Sequence, residues 1–178
     1  MIDETLKPVI QEIRMILLDV DGVLTSGEII YTENGDEIKA FDIQDGMGIT
    51  LARWGGLKTG ILTGRNSQIV ERRARELKFD AVYMGAFRKT NCYEDILKNY
   101  NLSDSHVCYM GDDFLDLPIL ERVGLPAAPA NARIEVKQTA RIVTEATGGH
   151  GAVRELIELI LKVQGKWEFV LNKSKEKE

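Results

Sequence analysis

Apolar residues in this chain gather in short unbroken runs, separated by longer stretches in which they recur every three or four positions. The first run, Met15-Ile16-Leu17-Leu18, has no polar alternation, which predicts a central parallel strand covered on both faces. Runs over 57–62, 81–84, 106–110, 125–127 and 140–143 predict five more strands. Between them the spacing predicts helices over 47–54, closed by Gly55-Gly56, over 67–78, capped by Asn66 or Ser67, and over 90–100. Helices over 115–123, with Pro118 in the first turn, and over 132–138 follow, then a glycine loop and an amphipathic last helix within 148–164. One segment departs from this alternation: 28–43 reads as a β-hairpin, with Asn34-Gly35 as a two-residue type I′ turn. Residues 1–14 form a mixed lead-in, and the charged tail over 167–178 is expected to fray at its end. Strands alternating with helices predict an α/β protein of one domain, 1–178, its parallel sheet wound on both faces through right-handed crossovers.

The chemistry lies in what terminates each strand. The first run ends in Asp19 and Asp21, which share one side of an extended chain, and Gly22 lets the backbone turn away. The second ends in Thr63-Gly64-Arg65, Lys89 follows the third, and the fourth ends in Gly111-Asp112-Asp113. In a parallel sheet these ends lie along one edge, the edge at which ligands bind. Two carboxylates held this close repel unless a cation sits between them, and Mg²⁺ is the simplest such cation. Carboxylates, a hydroxyl and an ammonium group gathered at one edge are the parts that phosphoryl transfer requires.

Bulk properties narrow the class. The chain has 178 residues, 44% of them apolar and 29% charged, as in a soluble globular protein with a full core. A net charge of -5 and a pI near 5.2 argue against nucleic acid as a partner. No apolar run has the length of a membrane span and no signal-peptide core is visible, so the expected compartment is the cytoplasm. Cys92 and Cys108 lack metal-binding spacing and are expected to be reduced thiols. With only His106 and His150 present, any metal here has oxygen ligands.

In order, Asp19-x-Asp21-Gly22-x-Leu24-Thr25, Thr63-Gly64-Arg65, Lys89 and Gly111-Asp112-Asp113-x-x-Asp116 resemble the four motifs of the haloacid dehalogenase superfamily of phosphatases. The resemblance spans roughly 15–143 and implies a Rossmann-like sheet. It implies Asp19 as nucleophile, Asp21 as general acid and base, and Thr63 and Lys89 as holders of the transferring phosphoryl group. It also implies Mg²⁺ held by Asp19, the backbone carbonyl of Asp21 and Asp112, with Asp113 and Asp116 in support. The gaps between Asp21 and Thr63 and between Lys89 and Asp112 leave no room for a cap domain.

The stretches 19–49, 63–73, 111–124 and 148–156 are similar to one capless branch, the phosphatases of 3-deoxy-D-manno-octulosonate 8-phosphate in lipopolysaccharide biosynthesis. That similarity implies a tetramer in which the hairpin of one subunit closes over the site of the next. It implies substrate contacts from Asp42, Ile43, Gln44, Asp45, Gly46, Gly64, Arg65, Arg73 and Lys89. Guanidinium pairs well with the carboxylate of a sugar acid, although Arg73 also has Glu76 as a helical partner and fits a charged helix face equally well. The neighbouring branch, acting on nonulosonate 9-phosphates, is expected to carry glutamate where this chain has Arg65, which favours the octulosonate. A receiver-like phospho-acceptor signalling module is the alternative from another class. It would place its acidic pair after the first strand and its phosphorylated aspartate after a later one, whereas here the third strand ends without an acid.

Overall fold

The computed structural model describes residues 4–176, so the extreme tail over 177–178, where fraying is expected, lies outside it. After a lead-in helix α1 (Lys7–Glu12), strand β1 (Met15–Leu18) enters the centre of the sheet. The hairpin strands β2 (Ile30–Tyr31) and β3 (Glu37–Ile38) and helix α2 (Ile43–Trp54) lead to β4 (Lys58–Leu62), α3 (Gln68–Leu77) and β5 (Ala81–Tyr83). Helix α4 (Lys89–Tyr100) then carries the chain across to β6 (Val107–Met110), followed by α5 (Leu117–Leu120), β7 (Leu125–Ala128), α6 (Ile134–Thr139) and β8 (Ile142–Val143). Helices α7 (Ala152–Val163) and α8 (Trp167–Lys173) close the described chain.

The six-stranded sheet has the order β5-β4-β1-β6-β7-β8 and every pairing in it is parallel. β1 is wholly buried because its side chains serve both layers. Ile16 and Leu18 join α1, α2, α3, α7 and α8 on one face, while Met15 and Leu17 join α4, α5 and α6 on the other. The chain winds outward from β1 through β4 to β5, then returns to the other side of β1 at β6. This reversal is the switch point at which open α/β sheets bind ligands. The register holds the ends level, since Leu18 pairs with Ile61 on one side and Met110 on the other.

Several elements differ from the sequence expectation. Asn34 does not adopt the positive φ that a type I′ turn needs. Instead Gly35 N–H bonds the Thr32 carbonyl at 3.0 Å and Thr32 N–H bonds the Asp36 carbonyl at 2.9 Å. With Gly35 at φ +86°, this is a three-residue loop with a glycine bulge, and the flanking strands are only two residues each. Helix α2 starts at Ile43 rather than at 47, because Asp42 caps it by accepting from Gln44 and Asp45 N–H. Ser67 stands at the start of α3 but makes no capping bond, and neither does Asn66. The helix expected over 115–123 is a short 3-10 turn, Phe114–Asp116, followed by the four residues of α5. The tail is ordered into α8, whose Val170 is completely buried.

Candidate active site

Three adjacent strand ends build the cleft. β1 is followed by Asp19 and Asp21, β4 by Thr63, Gly64 and Arg65, and β6 by Asp112, Asp113 and Asp116. With Lys89 these residues line one cavity of about 260 Å³. The turn after β1 depends on Gly22, at φ +86°, where an added Cβ would run into the Asp112 carboxylate. Thr25 fastens the same turn, its hydroxyl donating to the Val20 carbonyl at 3.3 Å and accepting from Gly27 N–H at 3.3 Å. Asn131 braces it from outside, donating to the Gly22 carbonyl at 3.0 Å and accepting from Gly148 N–H at 2.7 Å.

Lys89 begins α4, where a cation opposes the helix dipole. Its ammonium lies 3.0 Å from Asp19 Oδ1, 2.6 Å from Asp116 Oδ1 and 3.0 Å from the Tyr109 hydroxyl. Burial alone would lower its pKa, but the Asp19 and Asp116 charges raise it above the ordinary lysine value. Asp116 is a brace. One oxygen accepts from Lys89 and from Tyr109 at 2.5 Å, the other from Asp112 and Asp113 N–H at 2.9 and 3.1 Å. Asp113 lines the cavity rim and bonds Phe114 N–H at 2.8 Å.

Carboxylate oxygens of Asp19, Asp112 and Asp116 lie within 4.8 Å of one another. Burial lifts Asp19 from 3.8 to about 6, with Lys89 opposing and Asp116 reinforcing the shift. Burial lifts Asp112 to about 7, and the charges of Asp19, Asp116 and Asp113 add to it. No donor among the described residues bonds the Asp112 carboxylate. A half-buried acid without a donor, beside a second acid, is a position that a divalent cation with oxygen ligands fits. Asp19 and Asp112 suit its coordination; the oxygens of Asp116 are already engaged.

The hairpin base reaches the same cleft from its own chain. Lys39, with its side chain 1% exposed, pairs with Asp21 Oδ1 and lies 3.5 Å from Glu37. Glu37 Oε1 accepts from Arg65 Nη2 at 2.8 Å, and Oε2 accepts from the Ser67 hydroxyl at 2.9 Å. Desolvation pushes the Glu37 carboxyl up, but Ser67, Lys39 and Arg65 together hold it below the usual range. Sequence reasoning missed Glu37, Lys39 and Tyr109. A tyrosine inside a fully buried strand, which needs a partner for its hydroxyl, was the legible sign for Tyr109.

The segment 42–46 and Arg73 do not line the carboxylate cleft within one chain. Asp42 caps α2, and with Ile43 and Gln44 it lines a separate hollow beside Gly149 and His150. Asp45 is buried and accepts from Gly151 and Arg154 N–H at 3.2 and 2.8 Å, satisfying the start of α7 from across the layer. Gly46 leaves space that the Arg73 guanidinium fills, with Arg73 above the Phe41 ring and Nη1 3.5 Å from Glu76.

Residues 81–156 match the family model of haloacid dehalogenase-like hydrolases. The chain is 41% identical over 156 residues to the 3-deoxy-D-manno-octulosonate 8-phosphate phosphatase of Escherichia coli K12, covering 88% of this chain and 83% of that protein. The crystal structure of the Moraxella catarrhalis enzyme of that name, with magnesium, phosphate and KDO, superposes with a TM-score of 0.93 at 34% identity, over 96% of this chain and 98% of that one. The Yersinia pestis enzyme gives a TM-score of 0.91 at 36% identity, over 93% and 89%. With the shared sheet, the level strand ends and the absence of a cap between them, the chain belongs to the haloacid dehalogenase-like hydrolases, in the capless branch of the octulosonate 8-phosphate phosphatases.

Proposed function

We propose that this protein hydrolyses 3-deoxy-D-manno-octulosonate 8-phosphate with Mg²⁺ as cofactor. The observation that carries the reading is the cluster of Asp19, Asp112 and Asp116 with Lys89 bridging two of them at the ends of adjacent strands. Asp19 attacks phosphorus and becomes an aspartyl phosphate, dividing one difficult displacement into two. Asp21 protonates the leaving alkoxide, then takes a proton from the incoming water. Lys89 and Thr63 hold the phosphoryl oxygens, the lysine from a buried position where its charge is little screened. Asp19, Asp112 and the backbone carbonyl of Asp21 hold the Mg²⁺, whose charge offsets the repulsion between the Asp19 carboxylate and the phosphate. Arg65, on the cleft wall, receives the carboxylate of the sugar acid.

The whole chain serves as one catalytic domain in the cytoplasm, and a second copy completes its site. Ile29, Ile30, Tyr31 and Ile38 leave 46–62% of their surface exposed on the hairpin, an apolar patch suited to a neighbouring subunit. In the resulting tetramer, Asp42, Ile43, Gln44 and Arg73 act on the substrate through subunit contacts, while the buried Asp45 and Gly46 shape the start of α2. Phosphate release from octulosonate 8-phosphate and from a nonulosonate 9-phosphate, compared with Mg²⁺ present, tests the substrate. The octulosonate is expected to be hydrolysed at least about tenfold more efficiently, the scale on which a pocket discriminates a difference of one carbon unit. Equal efficiencies would remove the narrow assignment, and a single stoichiometric phosphorylation without turnover would favour a receiver.

A further inference from the structure

Ser67 occupies the N-cap of α3, where a serine hydroxyl ordinarily bonds a free backbone N–H and stabilises the helix. Here it makes no such bond and donates to Glu37 on the hairpin instead. The other oxygen of Glu37 accepts from Arg65 Nη2 at 2.8 Å, and Arg65 Nε lies 3.8 Å from Asp21 Oδ2. Arg65 is thus held by Glu37 of the hairpin, yet its side chain is 40% exposed and lines the cleft. A guanidinium has five donors, so this grip leaves donors over for a ligand.

We propose that Glu37 is a positioning residue that fixes Arg65 to receive the substrate's carboxylate, so that the hairpin sets selectivity for acidic phosphate esters. The proposal rests on the assignment of Arg65 to that carboxylate. An unrestrained arginine carries rotamer entropy that binding must otherwise remove. Ser67 orients Glu37, and Lys39 beside it balances the charge that a second carboxylate brings to the rim.

The test is the ratio of kcat/KM for octulosonate 8-phosphate to that for p-nitrophenyl phosphate, which has no carboxylate. It is measured in the wild type, Glu37→Ala, Glu37→Gln, Arg65→Met and the Glu37→Ala/Arg65→Met double variant. Glu37→Ala is expected to lower the ratio about tenfold, through KM for the sugar acid, by releasing the arginine's rotamer freedom. Glu37→Gln, whose amide oxygen still accepts from Arg65, lowers it less and keeps the side chain's shape should the alanine variant melt early. In the Arg65→Met background, Glu37→Ala produces no further fall. A ratio that holds or rises in Glu37→Ala, or that falls again in the double variant, would overturn the positioning role. An Arg65→Met ratio equal to that of the wild type would refute the arginine assignment itself, and the proposal with it.

Discussion

Burial pushes Asp19 to about 6 and Asp112 to about 7, so both acids bind protons more tightly in the folded metal-free protein than in the unfolded chain. Between the ordinary value of 3.8 and these raised values the folded state holds the extra protons, and stability falls as pH rises through that window. The metal-free protein should therefore melt at a lower temperature at neutral pH than near pH 5. Mg²⁺ at a hundredfold excess over its Kd should add about 2.7 kcal/mol. For a chain of this size that is roughly 5–10 °C, measurable by calorimetry in chelator and in Mg²⁺. A melting temperature indifferent to both would contradict the metal assignment. Tyr109→Phe should cost about 2 kcal/mol, because Asp116 and Lys89 each lose a buried partner. Denaturant melts read that loss, and a lower kcat accompanies it as Lys89 loses its brace. The acids were legible in the sequence because a strand end fixes where a residue emerges, and Lys89 because it opens the helix after the third strand. Glu37 and Lys39 were not, because their placement follows from the hairpin folding back on its own chain.

Among the elements, the sheet strands were legible because each is an apolar run closed by a polar or glycine-rich end. Start points were harder to read. Asp42 and Asp45 look alike in sequence, yet one caps α2 and the other serves α7, and only the packing of the two helices separates them. Helix α8 was hidden among charges because it contributes a single fully buried residue, Val170. Val170→Ala should lower stability by about 2 kcal/mol. Phe169→Ala, at a side chain 58% exposed, should change it by less than about 0.5 kcal/mol, both read from urea melts. Equal effects would contradict the docking of α8. In the hairpin, Gly35→Ala meets open space but retains a left-handed backbone, so it should cost about 1 kcal/mol of local stability. Faster amide exchange at Thr32 and Gly35 would show it.

For the whole molecule, the switch point between β1 and β6 explains how residues nearly a hundred positions apart share one cleft. The cleft stays open to water, and the exposed hairpin isoleucines are the surface that the proposed tetramer would use to cover it. Light scattering should give four times the chain mass of 20.0 kDa for the wild type. Ile30→Asp should shift that toward the monomer and raise KM for the sugar acid, because a charge in an apolar contact is left unpaired. A fully active monomer would contradict a shared site.

The most direct measurement is phosphate release by Asp19→Asn, with circular dichroism to confirm the fold. An amide at position 19 cannot form the acyl phosphate, so the variant should be folded and should release no phosphate from octulosonate 8-phosphate above the uncatalysed background. A folded Asp19→Asn protein that turns over near the wild-type rate would contradict covalent catalysis at that residue.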